Sequence, residues 1–415
     1  MSCSVSVASD GSLVLLLQRF HFTARNLARS LDRVTSELRA SASTPQRELN
    51  IQRVSLHFCS FDSQGARSFV GCLLEEPRVC SGALRLCCRH CTGISPLLAA
   101  LQLESPQNTS AIALSQDVNS SQSAGRRTRE LSLPRPLNSS VSVSEGKSVR
   151  ELLCSLEIHS AGTHFGIPRL CLFGMHNLTS LTLGGCPQLF NPTYLKQLSA
   201  AIVEASPPVR RLSLWACNIQ LSKQTVISLT RILRALPVEE LDLSHNVALL
   251  TPHGGLKALP VECADALPLV IRSKSLRSLN LSGVKVTNSK ALAKLLWACE
   301  ATLERLFLVN CSLGPDNIAP IAGSIARMAH LQHFNAADNL LEAQGGLVIA
   351  ASLSNKAQLK RVLLHRCGLT WEAASGISSM LKTSPLLQLL CLKQNYFHDC
   401  GASSIAEGIN CALAV

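Results

Sequence analysis

Aromatic side chains are scarce in this chain, with 3 Trp, 2 Tyr and 11 Phe among 415 residues. A surface that stacks nucleotide bases needs more of them. No Lys/Arg-rich block offers itself to a phosphate backbone either, so nucleic acid is a poor candidate partner. Long apolar runs are also missing. Nothing approaches the roughly 18 uninterrupted apolar residues that suggest a membrane span, and no convincing secretory signal opens the sequence. Catalytic signatures are lacking as well: there is no Gly-x-Ser-x-Gly, no His-Glu-x-x-His and no cluster of carboxylates. Gly146-Lys147-Ser148 ends like a phosphate-binding loop, but Val141 stands where that motif needs glycine. Cys88 and Cys91 make one Cys-x-x-Cys with no second pair, short of the four ligands of a structural zinc site. These gaps leave no catalytic, cofactor or metal residues to assign, and they predict a non-enzyme.

Leucine is what the chain has in quantity, and it recurs. LERLFLVNCSL, LQHFNAADNLL, LKRVLLHRCGL and LQLLCLKQNYF begin at Leu303, Leu331, Leu359 and Leu387, a constant step of 28 residues. Each has apolar residues at offsets 0, 3 and 5 and Asn or Cys at offset 8: Cys311, Asn339, Cys367 and Asn395. Alternation at offsets 3 and 5 is that of a short strand with one buried face. At the bend that follows, an Asn amide can pair backbone groups otherwise left buried and unsatisfied. A helical stripe comes next, with Ile318, Ile321, Ala322 and Ile325 on one face, then Ala374, Ile377 and Leu381, then Ile405, Ala406 and Ile409. A unit of strand, turn and helix cannot bury its own apolar face and must stack on its neighbours.

The pattern L-x-x-L-x-L-x-x-N/C-x-L, in units of about 28 residues, resembles the ribonuclease-inhibitor class of leucine-rich repeats. That resemblance implies a curved α/β solenoid, a horseshoe with parallel strands on the concave side and helices on the convex side. It speaks for the fold and leaves the function open.

Along the chain, residues 1–48 read as an N-terminal helical cap with the stripe Phe20, Ala24, Leu27, Leu31, Val34 and Leu38. A partner-binding helix or an organelle transit peptide are the alternatives for that segment. Residues 49–104 hold the first, degenerate repeats, the better one carried by Ile51, Val54, Leu56, Cys59 and Phe61. The Ser-rich stretch 105–147 reads as a mobile insertion or linker. The main array, 148–415, has a short unit at Ile167, Leu170 and Leu172, then units beginning at 178, 209, 238 and 276. The long step from 238 to 276 predicts a loop at about 250–275. The final helix reaches residue 415 with no polar capping unit after it, and reads as polar enough to stand alone.

Of 18 cysteines, six occupy the Asn/Cys offset: Cys59, Cys91, Cys186, Cys217, Cys311 and Cys367. A position shared with Asn is one of packing, so the thiols read as reduced and the protein as cytoplasmic, with a cytoskeletal or ciliary association or mitochondrial import as alternatives. The net charge of +12 hints at an acidic partner surface.

Side chains at offsets 2, 4, 6 and 7 point into the concave wall. The candidate partner-binding residues read off there are Arg211, Trp215, Glu240, Asp242, His245, Arg305, Phe307, His333, Arg361, His365, Arg366 and Lys393. Trp, Phe and Arg at positions the fold does not need suggest interface anchors. The basic end at Arg361, Arg366 and Lys393 beside Glu240 and Asp242 suggests a polarity that orients a partner. The expected function is a protein-binding scaffold, the partner's identity and the oligomeric state being unspecified. A Ran-type GTPase-activating regulator is a rival, against which the missing acidic tail counts. A structural subunit of a cytoskeletal, ciliary or organellar assembly is another.

Overall fold

The computed structural model describes residues 2–7, 13–23, 25–42, 51–75, 84–91, 96–97, 100, 153–159, 172, 175–186, 191–219, 222–246 and 275–413. Thirteen strands form one sheet: β1 (Ser2–Val7), β2 (Leu13–Gln18), β4 (Ile51–His57), β6 (Leu84–Arg89), β7 (Leu153–His159), β8 (Ser180–Gly184), β9 (Arg211–Ser213), β10 (Glu240–Asp242), β11 (Ser278–Asn280), β12 (Arg305–Phe307), β13 (His333–Asn335), β14 (Arg361–Leu363) and β15 (Leu389–Cys391). From β2 onward every neighbour pair is parallel and follows chain order. Two short strands, β3 (His21–Phe22) and β5 (Ser60–Phe61), pair separately behind the first units.

Helices follow the strands. Among the described residues these are α1 (Leu27–Ala42), α2 (Ser63–Glu75), α3 (Pro192–Ala205), α4 (Lys223–Ala235), α5 (Ser289–Ala298), α6 (Pro315–Arg327), α7 (Glu342–Leu353), α8 (Trp371–Lys382) and α9 (His398–Leu413). Three of these starts are capped by a side chain: Asn191, Ser222 and Asn288 each accept a hydrogen bond from a backbone N–H in the first turn. The stripe read from sequence on α6 is buried at Ile318, Ile321, Ala322 and Ile325, as are Ala374, Ile377 and Leu381 on α8. Consecutive helices from α5 to α9 pack on one another. Paired strands sit about 4.8 Å apart, whereas packed helices need about 8–10 Å. A stack with strands on one side and helices on the other therefore bends, strands inside. The molecule is the curved solenoid that the repeat predicts.

The spine of the stack is polar. Asn339 Oδ1 accepts from the backbone N–H groups of Cys311 (2.8 Å) and Leu313 (3.1 Å), while its Nδ2 donates to the carbonyls of Leu308 and Ala336. Asn246 does the same for the unit of Cys217, and Asn395 for that of Cys367. Where the offset carries Cys, the thiol donates to the carbonyl at offset 5 of the preceding unit, as Cys217 does to Leu183 (3.0 Å) and Cys311 to Leu281 (3.2 Å). Burial pushes the Cys311 thiol up to about 12 and the Cys367 thiol to about 11. None of the cysteines whose side chains are described forms a disulfide.

One residue earlier the backbone turns left-handed. Arg19, Phe58, His90, Gly185, Ala216, His245, Gly283, Asn310, Asp338, Arg366 and Gln394 all have φ between 50° and 72°. Their N–H groups, apart from the last, donate to the next strand's offset-6 carbonyl, so inter-unit hydrogen bonds continue past each strand before the chain bends away.

One expectation needs correction. The segment 1–48 is not a helix throughout: residues 2–7 and 13–18 are strands, and the helix begins at Leu27. Leu15 pairs with Val54 and Leu17 with Leu56, so this is a further repeat with Phe20 at the Asn/Cys offset. Hydrophobic residues on both faces of LVLLLQ suit a strand flanked by β1 and β4 better than an amphipathic helix. The unit expected at Ile167, Leu170 and Leu172 lies, except for Leu172, outside the described residues, and β7 pairs directly with β8. The rung there is Leu153, Leu156 and Ile158, all buried. The stretch 105–147, the Gly146-Lys147-Ser148 segment and, except for Ser275, the loop expected at 250–275 lie outside the described residues.

Candidate functional site

The concave wall is built from three rows of side chains. Across β7 to β12 the two rows nearest the strand starts include short side chains at Ser180, Thr182, Ser213, Ser278 and Asn280. Taller groups stand around them, and the result is a hollow of about 420 Å³ walled by Glu157, His159, Arg211, Trp215, Glu240, Asp242 and Phe307. Five of the twelve residues singled out in the sequence thus meet in one place: Arg211, Trp215, Glu240, Asp242 and Phe307.

Trp215 leans sideways over β8. A Cβ placed on Gly184 would fall 2.2 Å from its Nε1, so only glycine at 184 leaves room for the indole. The ring lies between two imidazoles, 5.8 Å from His159 and 6.5 Å, edge-on, from His245. It stays partly exposed, as does Phe307.

The acidic side chains of the wall are already engaged. Glu240 Oε1 is 2.9 Å from Arg305 Nη2 and 3.7 Å from Arg211 Nε. Asp242 accepts from Ser213 Oγ (2.9 Å) and from the N–H of Ser244 (2.9 Å), ordering the turn after its own strand. Farther along, Arg366 and His365 flank Asp338 at 2.5 and 4.0 Å. His333 is half-buried, and burial with the Arg361 and Arg305 charges holds its imidazole below the usual value. Arg361 and Lys393 are exposed. The polarity expected from the sequence is therefore damped, since parallel strands in register set opposite charges side by side.

No family model matches the chain. Over 159 residues, 37% of its length, it is 28% identical to NACHT, LRR and PYD domains-containing protein 4C of Mus musculus, covering 16% of that protein. Over 224 residues, 48% of its length, it is 26% identical to the ribonuclease inhibitor of Sus scrofa, covering 49% of it. The chain thus spans half or less of the curated relatives it matches. The chain carries leucine-rich repeats and resembles the ribonuclease-inhibitor-like class. Among solved structures, the leucine-rich-repeat protein LegL7 of Legionella pneumophila aligns with 62% of this chain and 91% of its own at 20% identity, with a TM-score of 0.38. Likeness of that size adds nothing to the layering described above.

Two wall residues of the repeat protein on β7, Glu157 and His159, escaped the sequence reading, and Cys87 of the Cys87-Cys88-Arg89-His90-Cys91 run stands beside them on β6. Glu157 bridges Arg53 Nη2 (3.5 Å) and His159 Nε2 (3.6 Å). His159, with Arg53, holds its carboxyl below the usual range despite burial. Neighbouring Cys87 and Glu157 push His159 up to about 9, against burial. The signal that would have found this pair is the Leu153-x-x-Leu156-x-Ile158 pattern, which sets offsets 4 and 6 on Glu157 and His159. No helix among the described residues is long and apolar enough to cross a membrane.

Proposed function

We propose that this repeat protein is a non-enzymatic scaffold that holds a protein partner on its concave face, at the hollow between β7 and β12. The observation that carries the reading is Trp215: a large ring held half exposed, in a slot that Gly184 leaves open for it, on a face where the fold itself has no use for it. Phe307 and Arg211 stand on the same wall, and Trp and Arg are the side chains that most often anchor protein interfaces. The porcine relative is named as an inhibitor of ribonuclease, itself a protein, which supports the same use of the shared repeats. The free thiols along the spine support a reducing, cytoplasmic setting.

The test compares affinity purification of wild type with two variants. Trp215→Ala/Phe307→Ala empties the hollow, and Arg361→Ala/Lys393→Ala removes the exposed basic end. The expected outcome is loss of specific partners with the first and weakening, mainly at low salt, with the second. Recovery of the same proteins by wild type and the hollow variant removes the concave-face assignment.

A further inference from the structure

At one end of the hollow the sheet brings together a thiol, a carboxylate and an imidazole. Cys87 pairs with Glu157 across the β6–β7 ladder, and His159 lies two residues on, on the same face. One ligand atom from each lies within 4.8 Å of the other two. Zinc binds thiolate, imidazole and carboxylate at about 2.0–2.3 Å, which spaces tetrahedral donors by roughly 3.3–3.8 Å. Rotamer shifts of about an ångström in the partly exposed Glu157 and His159 close the difference.

We propose that Cys87, Glu157 and His159 form a three-ligand zinc site whose fourth position opens onto the concave hollow. The donor set suits a borderline-soft divalent ion and not the oxygen-seeking Mg²⁺ or Ca²⁺. Cys87 is buried, while Glu157 and His159 line the hollow, so the open position faces solvent or a bound partner. His159 turns Nε2 toward Glu157, and its ring is held against Trp215 on the other side. Arg53 is the competitor. Its guanidinium lies 3.5 Å from the same Glu157 oxygen, and with a side chain 35% exposed it can swing into solvent when the metal binds. The site stands apart from the partner reading, because the metal alone tests it.

The experiment titrates the full, reduced, metal-free chain with Co²⁺ and then displaces it with Zn²⁺. Wild type is expected to take up one equivalent with a thiolate-to-cobalt absorption band. Cys87→Ser is expected to lose that band, and Glu157→Gln and His159→Ala to weaken binding by about tenfold or more. Arg53→Met is expected to tighten it several-fold, a gain that no folding defect can imitate. Circular dichroism of each variant checks the fold. The proposal is overturned if wild type takes up no stoichiometric ion, if the band and affinity survive Cys87→Ser, or if Glu157→Gln and Arg53→Met leave affinity unchanged.

Discussion

At Asn339 one amide serves two rungs, accepting from two N–H groups of the unit before it and donating to carbonyls of both units. Alanine there strands several buried backbone groups, at about 1–3 kcal/mol each. We expect Asn339→Ala to lower stability by about 3 kcal/mol or more, read by urea denaturation, and Asn395→Ala, half-buried on the last rung, to cost less. Lys356 works the other way. It is 4% exposed, donates to the Ala326 carbonyl at 2.7 Å, and burial pulls its ammonium down from 10.5 to about 8. Between those values the unfolded chain keeps the proton that the folded chain has shed, so stability rises with pH from about 8 to 10.5. Lys356→Met should raise the melting temperature at pH 7 and flatten that rise. Gly184→Val should displace the Trp215 indole and shift its emission, a clean readout because Trp297 and Trp371 are already more than half exposed.

Strands were legible wherever leucine kept its spacing and illegible where other residues took its place. The units at Leu303, Leu331 and Leu359 were readable because offsets 0, 3, 5 and 8 all hold the expected types. The rung of β2 was not, because Phe20 fills the Asn/Cys offset and the run LVLLLQ has no polar face to separate strand from helix. Its burial shows what the run is for: Leu15 and Leu17 are fully enclosed. We expect Leu17→Ala to cost about 2–4 kcal/mol, with faster hydrogen exchange in β1 and β4 as well as β2. A free-standing helical cap would confine the loss to itself. Five of the residues that wall the hollow were readable from offsets, while Glu157 and His159 were missed because the unit beginning at Leu153 went unread. The pairing of wall residues was not readable, because Arg305 reaches Glu240 across an intervening strand, a contact that register decides and composition does not reveal.

Over the whole molecule each unit touches chiefly its neighbours, so stability is close to a sum of local terms. β6 and β7 are adjacent in the sheet although the segment between Arg89 and Leu153 separates them in the chain. Because loop length enters closure entropy only logarithmically, replacing residues 105–147 with a short Gly/Ser linker should leave the melting temperature nearly unchanged. A large loss would show that this stretch contributes packing of its own.

The spine cysteines give this architecture a practical use. Cys59, Cys91, Cys186, Cys217, Cys311 and Cys367 are spread from one end of the stack to the other, each sealed from solvent while its own layer is closed. Pulsed alkylation under mild denaturant, followed by peptide mass mapping, would record the order in which layers peel open. The protein thus carries native time stamps of its own unravelling, with no label to introduce.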